Sequence, residues 1–159
     1  MGNTVEIKLT RGFVAIIDED DAERVNLHKW NLCKGSRGNT YYANTMINGK
    51  NVRLHRFIMG ITDPKIEVDH RDTNGMNNSK INLRVCSRLQ NAKNLPIRKD
   101  NKSGYKGVCM LKGRWRARIG VNCRKVELGF FKTKELAALA YNEASLKYHG
   151  EFSSPNVIL

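Results

Sequence analysis

Asp69 and His70 stand side by side in Val68-Asp69-His70, at the end of a predicted strand and just ahead of a long polar loop. Asn82 follows His70 by 12 residues, and Asn91 follows Asp69 by 22. A strand end with a helix packed on it can bring Asp69 and Asn91 to one point. Both side chains offer hard oxygen donors, which suit a divalent cation such as Mg2+. His70 then projects to the other side of the strand or past its end, where its imidazole can take a proton from a water rather than bind the metal. Asn82 is the candidate to accept the imidazole N–H and fix its tautomer. Phosphodiester hydrolysis needs these parts: a base for the water and a cation for the charge that builds on phosphate and leaving oxygen. His55, Arg56, Arg71, Arg84 and Arg88 are near enough in sequence to hold a phosphate backbone. The same residues also read as a structural turn, with the asparagines supporting left-handed backbone. Spacing alone leaves both readings open.

The elements that must position these groups follow from local pattern. Val14-Ala15-Ile16-Ile17, Thr40-Tyr41-Tyr42-Ala43 and Val52-Arg53-Leu54 read as short strands. Gly35-Ser36-Arg37-Gly38-Asn39 marks a turn, and Asn48-Gly49 between Thr45-Met46-Ile47 and Lys50-Asn51-Val52 marks a hairpin. The acidic run Asp18-Glu19-Asp20-Asp21 suits the start of a short helix, where the dipole favours negative charge. Residues 72–79 have almost no apolar content and form a loop between strands Ile66–Asp69 and Leu83–Cys86. Ser87 then caps a helix through Arg88-Leu89-Gln90-Asn91-Ala92-Lys93. Residues 95–103, with Pro96 and a mixed polar set, read as a linker.

Beyond the linker the pattern is cleaner. Gly107–Met110, Trp115–Ile119 and Lys125–Gly129 read as three strands. Thr133 caps a helix from about Lys134 to Tyr148 that Gly150 stops. Ala137, Ala140, Tyr141, Ala144 and Tyr148 recur at helical spacing, and the small alanines let the helix lie close to a sheet. In Arg114-Trp115-Arg116-Ala117-Arg118, strand alternation sets the three arginines on one face and Trp115, Ala117 and Ile119 on the other. Such a ribbon fits a major groove, where Arg can contact guanine and where Lys112, Arg124 and Lys125 can reach phosphates.

Charge supports a polyanionic partner. The 159 residues hold 28 Lys and Arg against 15 Asp and Glu, a net of +13. Residues 1–93 carry +5 and residues 94–159 carry +8, so the shorter stretch is the better electrostatic footprint. No apolar run reaches the roughly 18–20 residues of a membrane helix, and the first residues lack a secretory pattern. Cys33, Cys86, Cys109 and Cys123 form no C-x2-C or C-x4-C pair, so neither a zinc knuckle nor a disulfide framework is expected.

Leu54-His55-Arg56-Phe57-Ile58-Met59-Gly60, Val68-Asp69-His70-Arg71-Asp72-Thr73-Asn74, Asn77-Asn78, Ile81–Ser87 and Gln90-Asn91 together resemble an HNH endonuclease of the phage and intron homing type, over about residues 53–94. Leu9 to Ala43, with Val14, Asp18 and Trp30, resembles the N-terminal extension common in these proteins. The resemblance implies His70 as general base, Asp69 and Asn91 as metal ligands and Asn82 as the residue orienting His70. Asn91 stands where many such enzymes have His, which favours Mg2+ or Mn2+ over zinc. His55 matches a family histidine, for structural support or phosphate contact. Tyr105–Val108, Arg114–Ile119, Leu128–Phe131 and Ala137–Asn142 resemble the Apetala-type DNA-binding domain of plant ethylene-responsive factors, over about residues 104–157, ending in Ser154-Pro155-Asn156. That domain implies DNA contacts from the strand arginines and from Trp115.

The expected fold class is α+β. A ββα-metal (His-Me finger) core with a β-rich N-terminal extension spans 1–94, a linker spans 95–103, and a three-stranded antiparallel sheet on one helix spans 104–159. The expected activity is metal-dependent hydrolysis of double-stranded DNA, leaving 5′-phosphate and 3′-hydroxyl ends. The expected protein is a monomer or weak dimer with no protein partner evident. Its expected setting is the cytoplasm of a bacterial host, encoded by a phage or mobile element. A non-catalytic, sequence-specific DNA-binding regulator is the alternative.

Overall fold

A computed structural model describes residues 2–35, 40–94, 97–98 and 100–158. The chain divides into two compact units, Met1–Asn91 and Ala92–Leu159. The class is α+β, built from small antiparallel sheets and short helices. Among the described residues, no helix is long and apolar enough to cross a membrane, and all four cysteines are free.

The first unit opens with strands β1 (Thr4–Lys8) and β2 (Val14–Asp18), paired antiparallel with Val5 opposite Ile17. Their inward residues Ile7, Ala15 and Ile17 enter the core. The acidic run continues into a short helix, α1 (Ala22–Asn26), as its charge suggests. Strands β3 (Asn31–Lys34), β4 (Tyr41–Ile47) and β5 (Lys50–Arg53) form one antiparallel sheet. Asn48 and Gly49 make its tight turn with φ of 50° and 73°, the left-handed pair a two-residue hairpin requires. Most of the turn expected at 35–39 lies outside the described residues.

Helix α2 (Leu54–Ile58) has no sequence cap and was not legible from pattern. Its exposed carbonyls are answered from α1 instead. The Arg24 guanidinium donates to Ile58 O at 2.7 Å and Phe57 O at 3.3 Å while pairing with Asp21 at 2.6 Å. Leu54 and Ile17 are fully buried in the same core, each contributing about 1.5–3 kcal/mol of transfer free energy. Strands β6 (Glu67–His70) and β7 (Leu83–Cys86) pair antiparallel, followed by α3 (Arg88–Asn91). Ser87 and Gln90 cap α3 reciprocally: Ser87 N–H donates to Gln90 Oε1 and Gln90 N–H to Ser87 Oγ.

The second unit places β8 (Val108–Leu111), β9 (Arg114–Val121) and β10 (Arg124–Phe131) in the order β10-β9-β8, all antiparallel. Helix α4 (Lys134–His149) packs on one face, and its cap Thr133 accepts from the Leu136 N–H. Ala137, Ala138, Tyr141 and Ala144 are buried against Val108, Ala117 and Ile119. The buried face differs from the expected stripe at its end. Tyr148 is exposed, and His149 turns inward so that its Nε2 reaches Gly120 O at 2.9 Å. Gly107 has φ of +72°, and a Cβ there would strike the Tyr141 ring at 2.2 Å, so only glycine fits.

Asn156 fastens the tail: it accepts from Lys106 N–H, and it exchanges two hydrogen bonds with Asn142 on α4. The expected linker is partly structural. Asn101 donates to Tyr105 O, and the Ser103 hydroxyl, buried, bonds within the second unit. Leu95, Pro96 and Lys99 of that stretch lie outside the described residues.

Candidate active site

Strand alternation decides which groups share a face. Glu67 and Asp69 lie on one side of β6, and Val68 and His70 on the other. Arg84 stands directly opposite Asp69 on β7. Its Nε and Nη2 both donate to Asp69 Oδ2, at 2.9 and 2.6 Å, and both residues are buried. Asn91 at the end of α3 donates through Nδ2 to Glu67 Oε2. Asp69 and Asn91 therefore lie on the same side of the strand pair. Among the described residues no three His, Cys, Asp or Glu side chains cluster as metal ligands. The oxygens on this face belong to Glu67, Asp69 and the Asn91 amide, a donor set suited to a hard cation. In the fold the Arg84 guanidinium balances the charge of the Asp69 carboxylate.

Arg84 departs from its expected role. From sequence it is a phosphate contact; in the fold its charge faces Asp69, away from solvent. Arg56 is likewise engaged, donating to Ile66 O and Asp63 O at 2.7 Å each. Arg71 and Arg88 are exposed.

His70 is buried on the opposite side. Its Nε2 lies 3.3 Å from Asn78 Oδ1. His55 packs edge-on to it, with ring centroids 4.9 Å apart, and Tyr42 lies about equally near both rings. His55 is therefore a buried structural neighbour of His70. Its Nδ1 has no hydrogen-bond partner among the described residues.

Burial holds the His55 pKa well below the ordinary 6.5, helped by the nearby charges of His70, Arg53 and Arg56. Burial also lowers His70, opposed by its bond to Asn78 and by Asp72 and Asp69. As pH falls below 6.5, the unfolded chain takes up protons at these histidines that the folded protein refuses. Stability is therefore lost on acidification. Thermal midpoints should drop as pH falls below 6.5, and His55→Phe should make that slope shallower. An equally steep slope in His55→Phe would show that His55 does not carry it.

Asn82 does not meet the imidazole. Its Nδ2 donates to Asp72 Oδ1 and Asn77 O, and its Oδ1 accepts from the Asp72 N–H. It shapes the loop. Asp72 also binds the Asn74 N–H and the Asn77 amide, and Asn74 binds the Met76 N–H, a chain of Asx turns. The amide that meets His70 is Asn78, which sequence reasoning missed. The signal available was an asparagine pair, Asn77-Asn78, inside a polar loop.

That loop docks on the N-terminal hairpin. Ile16 N–H donates to Met76 O at 2.8 Å, and Asn78 N–H donates to Ile16 O at 2.7 Å. Lys80 reaches back through its N–H to Asp18 and through Nζ to Asp21 at 3.0 Å. The loop also lies close against β4, where a Cβ at Gly75 would come within 2.2 Å of Tyr41 O.

In the second unit, Arg114 and Arg118 are exposed and Arg116 half-buried, all on the face of β9 away from α4. Lys112, Arg124 and Lys125 are also exposed. Trp115 is half-buried and turned to the core beside Tyr105 and Ala137, not to the arginine face. Phe130, opposite Arg116 on β10, is the exposed aromatic of that face.

The strand pair thus carries a buried imidazole on one side and a carboxylate and an amide on the other. No protein-family model matches the chain. It is 32% identical over 154 residues to a protein of Acanthamoeba polyphaga mimivirus named an uncharacterized HNH endonuclease, spanning 93% of this chain and 77% of that one. With that identity along nearly its whole length, this chain belongs to the HNH endonuclease family, whose members generally use a divalent metal.

Proposed function

We propose that the protein is a metal-dependent endonuclease acting on double-stranded DNA, with β6, β7 and α3 as a ββα-metal core. The observation that carries this reading is Asp69 and Asn91 on one face of the strand pair with buried His70 on the other. Asp69 and the Asn91 carbonyl oxygen would hold Mg2+ or Mn2+, with Glu67 beside them. The cation supplies neutralisation of charge on the phosphate and the leaving oxygen. His70 takes a proton from the attacking water, whose oxygen forms the new bond to phosphorus. The bond from phosphorus to the 3′ oxygen breaks, and that oxygen takes up a proton. One such centre cuts one strand, so a monomer nicks.

Incubation with supercoiled plasmid, with and without Mg2+, tests this. Conversion to the nicked circle only with the cation is expected. Specific binding without cation-dependent cleavage would make the protein a binding-only regulator.

The second unit anchors the enzyme in the manner of an Apetala-type domain, through the exposed arginine face of β9. Support comes from the charge of this region and from alternation that keeps Arg114 and Arg118 in solvent. The double substitution Arg114→Ala, Arg118→Ala should weaken DNA affinity and reduce the slope of log affinity against log salt by roughly one unit per lost phosphate contact. An unchanged slope would show that this face does not touch DNA.

A further inference from the structure

The loop gives the Asn78 side chain one orientation. Its Nδ2 donates to Met76 O at 3.0 Å and to Gly75 O at 3.4 Å. The amide atom turned toward His70 is therefore Oδ1, 3.3 Å from Nε2. Asn78 is completely buried, and its backbone is tied to β2 through Ile16. Turning the amide over would set Oδ1 against the carbonyl oxygens of Gly75 and Met76 and take the Nδ2 donors away from both.

A carbonyl oxygen only accepts, so the hydrogen shared between the two side chains belongs to the imidazole. We propose that Asn78 is the positioning residue for His70: the bond from Nε2–H to Asn78 Oδ1 holds the ring in the tautomer whose lone pair is on Nδ1. In the hydrolytic step Nδ1 is then the nitrogen that receives the proton of the attacking water. That last consequence rests on the nuclease reading above; the tautomer does not. The N-terminal hairpin acquires a role as well, because β2 fixes the backbone from which Asn78 acts.

The test is nuclear magnetic resonance of the full chain with 15N-labelled histidine, above pH 6.5 where the buried rings are neutral. The chain has four histidines, and His70→Gln assigns the His70 signals. The expected spectrum has the hydrogen on Nε2, a slowly exchanging Hε2 proton and a nuclear Overhauser contact from it to Asn78. Asn78→Ala should make Hε2 exchange quickly and move the ring toward mixed tautomers. Hydrogen on Nδ1 in the wild-type protein, or an unchanged spectrum in folded Asn78→Ala, overturns the proposal. Should Asn78→Ala not fold, the exchange rate and Overhauser contact in the wild-type protein decide it. In cleavage assays Asn78→Ala should lower kcat with KM for DNA unchanged. A protein with the expected spectrum that never cuts DNA would remove the nuclease reading and leave the Asn78 assignment in place.

Discussion

His70→Ala should lower the single-turnover rate of DNA cleavage by roughly 10²–10⁴-fold, the usual contribution of a positioned general base. DNA affinity should stay close to wild type, because the exposed cationic side chains of both units are untouched. The split between chemistry and binding is the informative part. His70 is buried beside Tyr42 and His55 and presents little surface to a ligand. Alanine there leaves room near two rings and lowers stability somewhat, so the assay belongs at a temperature where circular dichroism shows the variant folded. Cleavage by His70→Ala at the wild-type rate with Mg2+ would end the assignment of His70 as the base.

The second large effect is on stability. Arg84 and Asp69 form a buried ion pair with side chains 6% and 8% exposed. Removing one partner leaves an uncompensated buried charge, which costs about 3–5 kcal/mol. A domain whose whole stability is about 5–15 kcal/mol is brought near its limit by such a loss. Arg84→Met should therefore lower the urea midpoint of the first unit sharply. The double variant Arg84→Met, Asp69→Leu should recover much of it, because apolar groups of similar volume need no partner. A loss under about 1 kcal/mol in Arg84→Met would match an exposed pair and contradict the burial.

These two predictions depend on features of different legibility. The Asp69-His70 dipeptide is visible in the chain, and strand alternation alone sends the two side chains to opposite faces. The Arg84 pairing is not visible. Arg84 reads as one more basic residue in a basic protein until β6 and β7 are in register and Asp69 faces it. His55 is similar: nothing local marks Leu54–Ile58 as a helix, since its carbonyls are satisfied by Arg24, about thirty residues earlier. Asn78 and Asn82 are alike in sequence, both asparagines near the polar loop. Which of them meets the imidazole depends on how the loop lies on β2.

By itself the sequence determined what short-range physics controls. The left-handed turn at Asn48-Gly49, the three strands and long helix of the second unit, the Thr133 and Ser87 caps, and the outward arginines of β9 each depend on neighbours a few residues apart. Only the tertiary structure decided which polar groups face each other across long separations: Arg84 with Asp69, Asn78 with His70, Ile16 with the loop, Asn156 with Lys106. Backbone preference and alternation act locally and survive in any fold. A buried hydrogen bond exists only after packing has excluded water from both partners, and that is a property of the assembled unit.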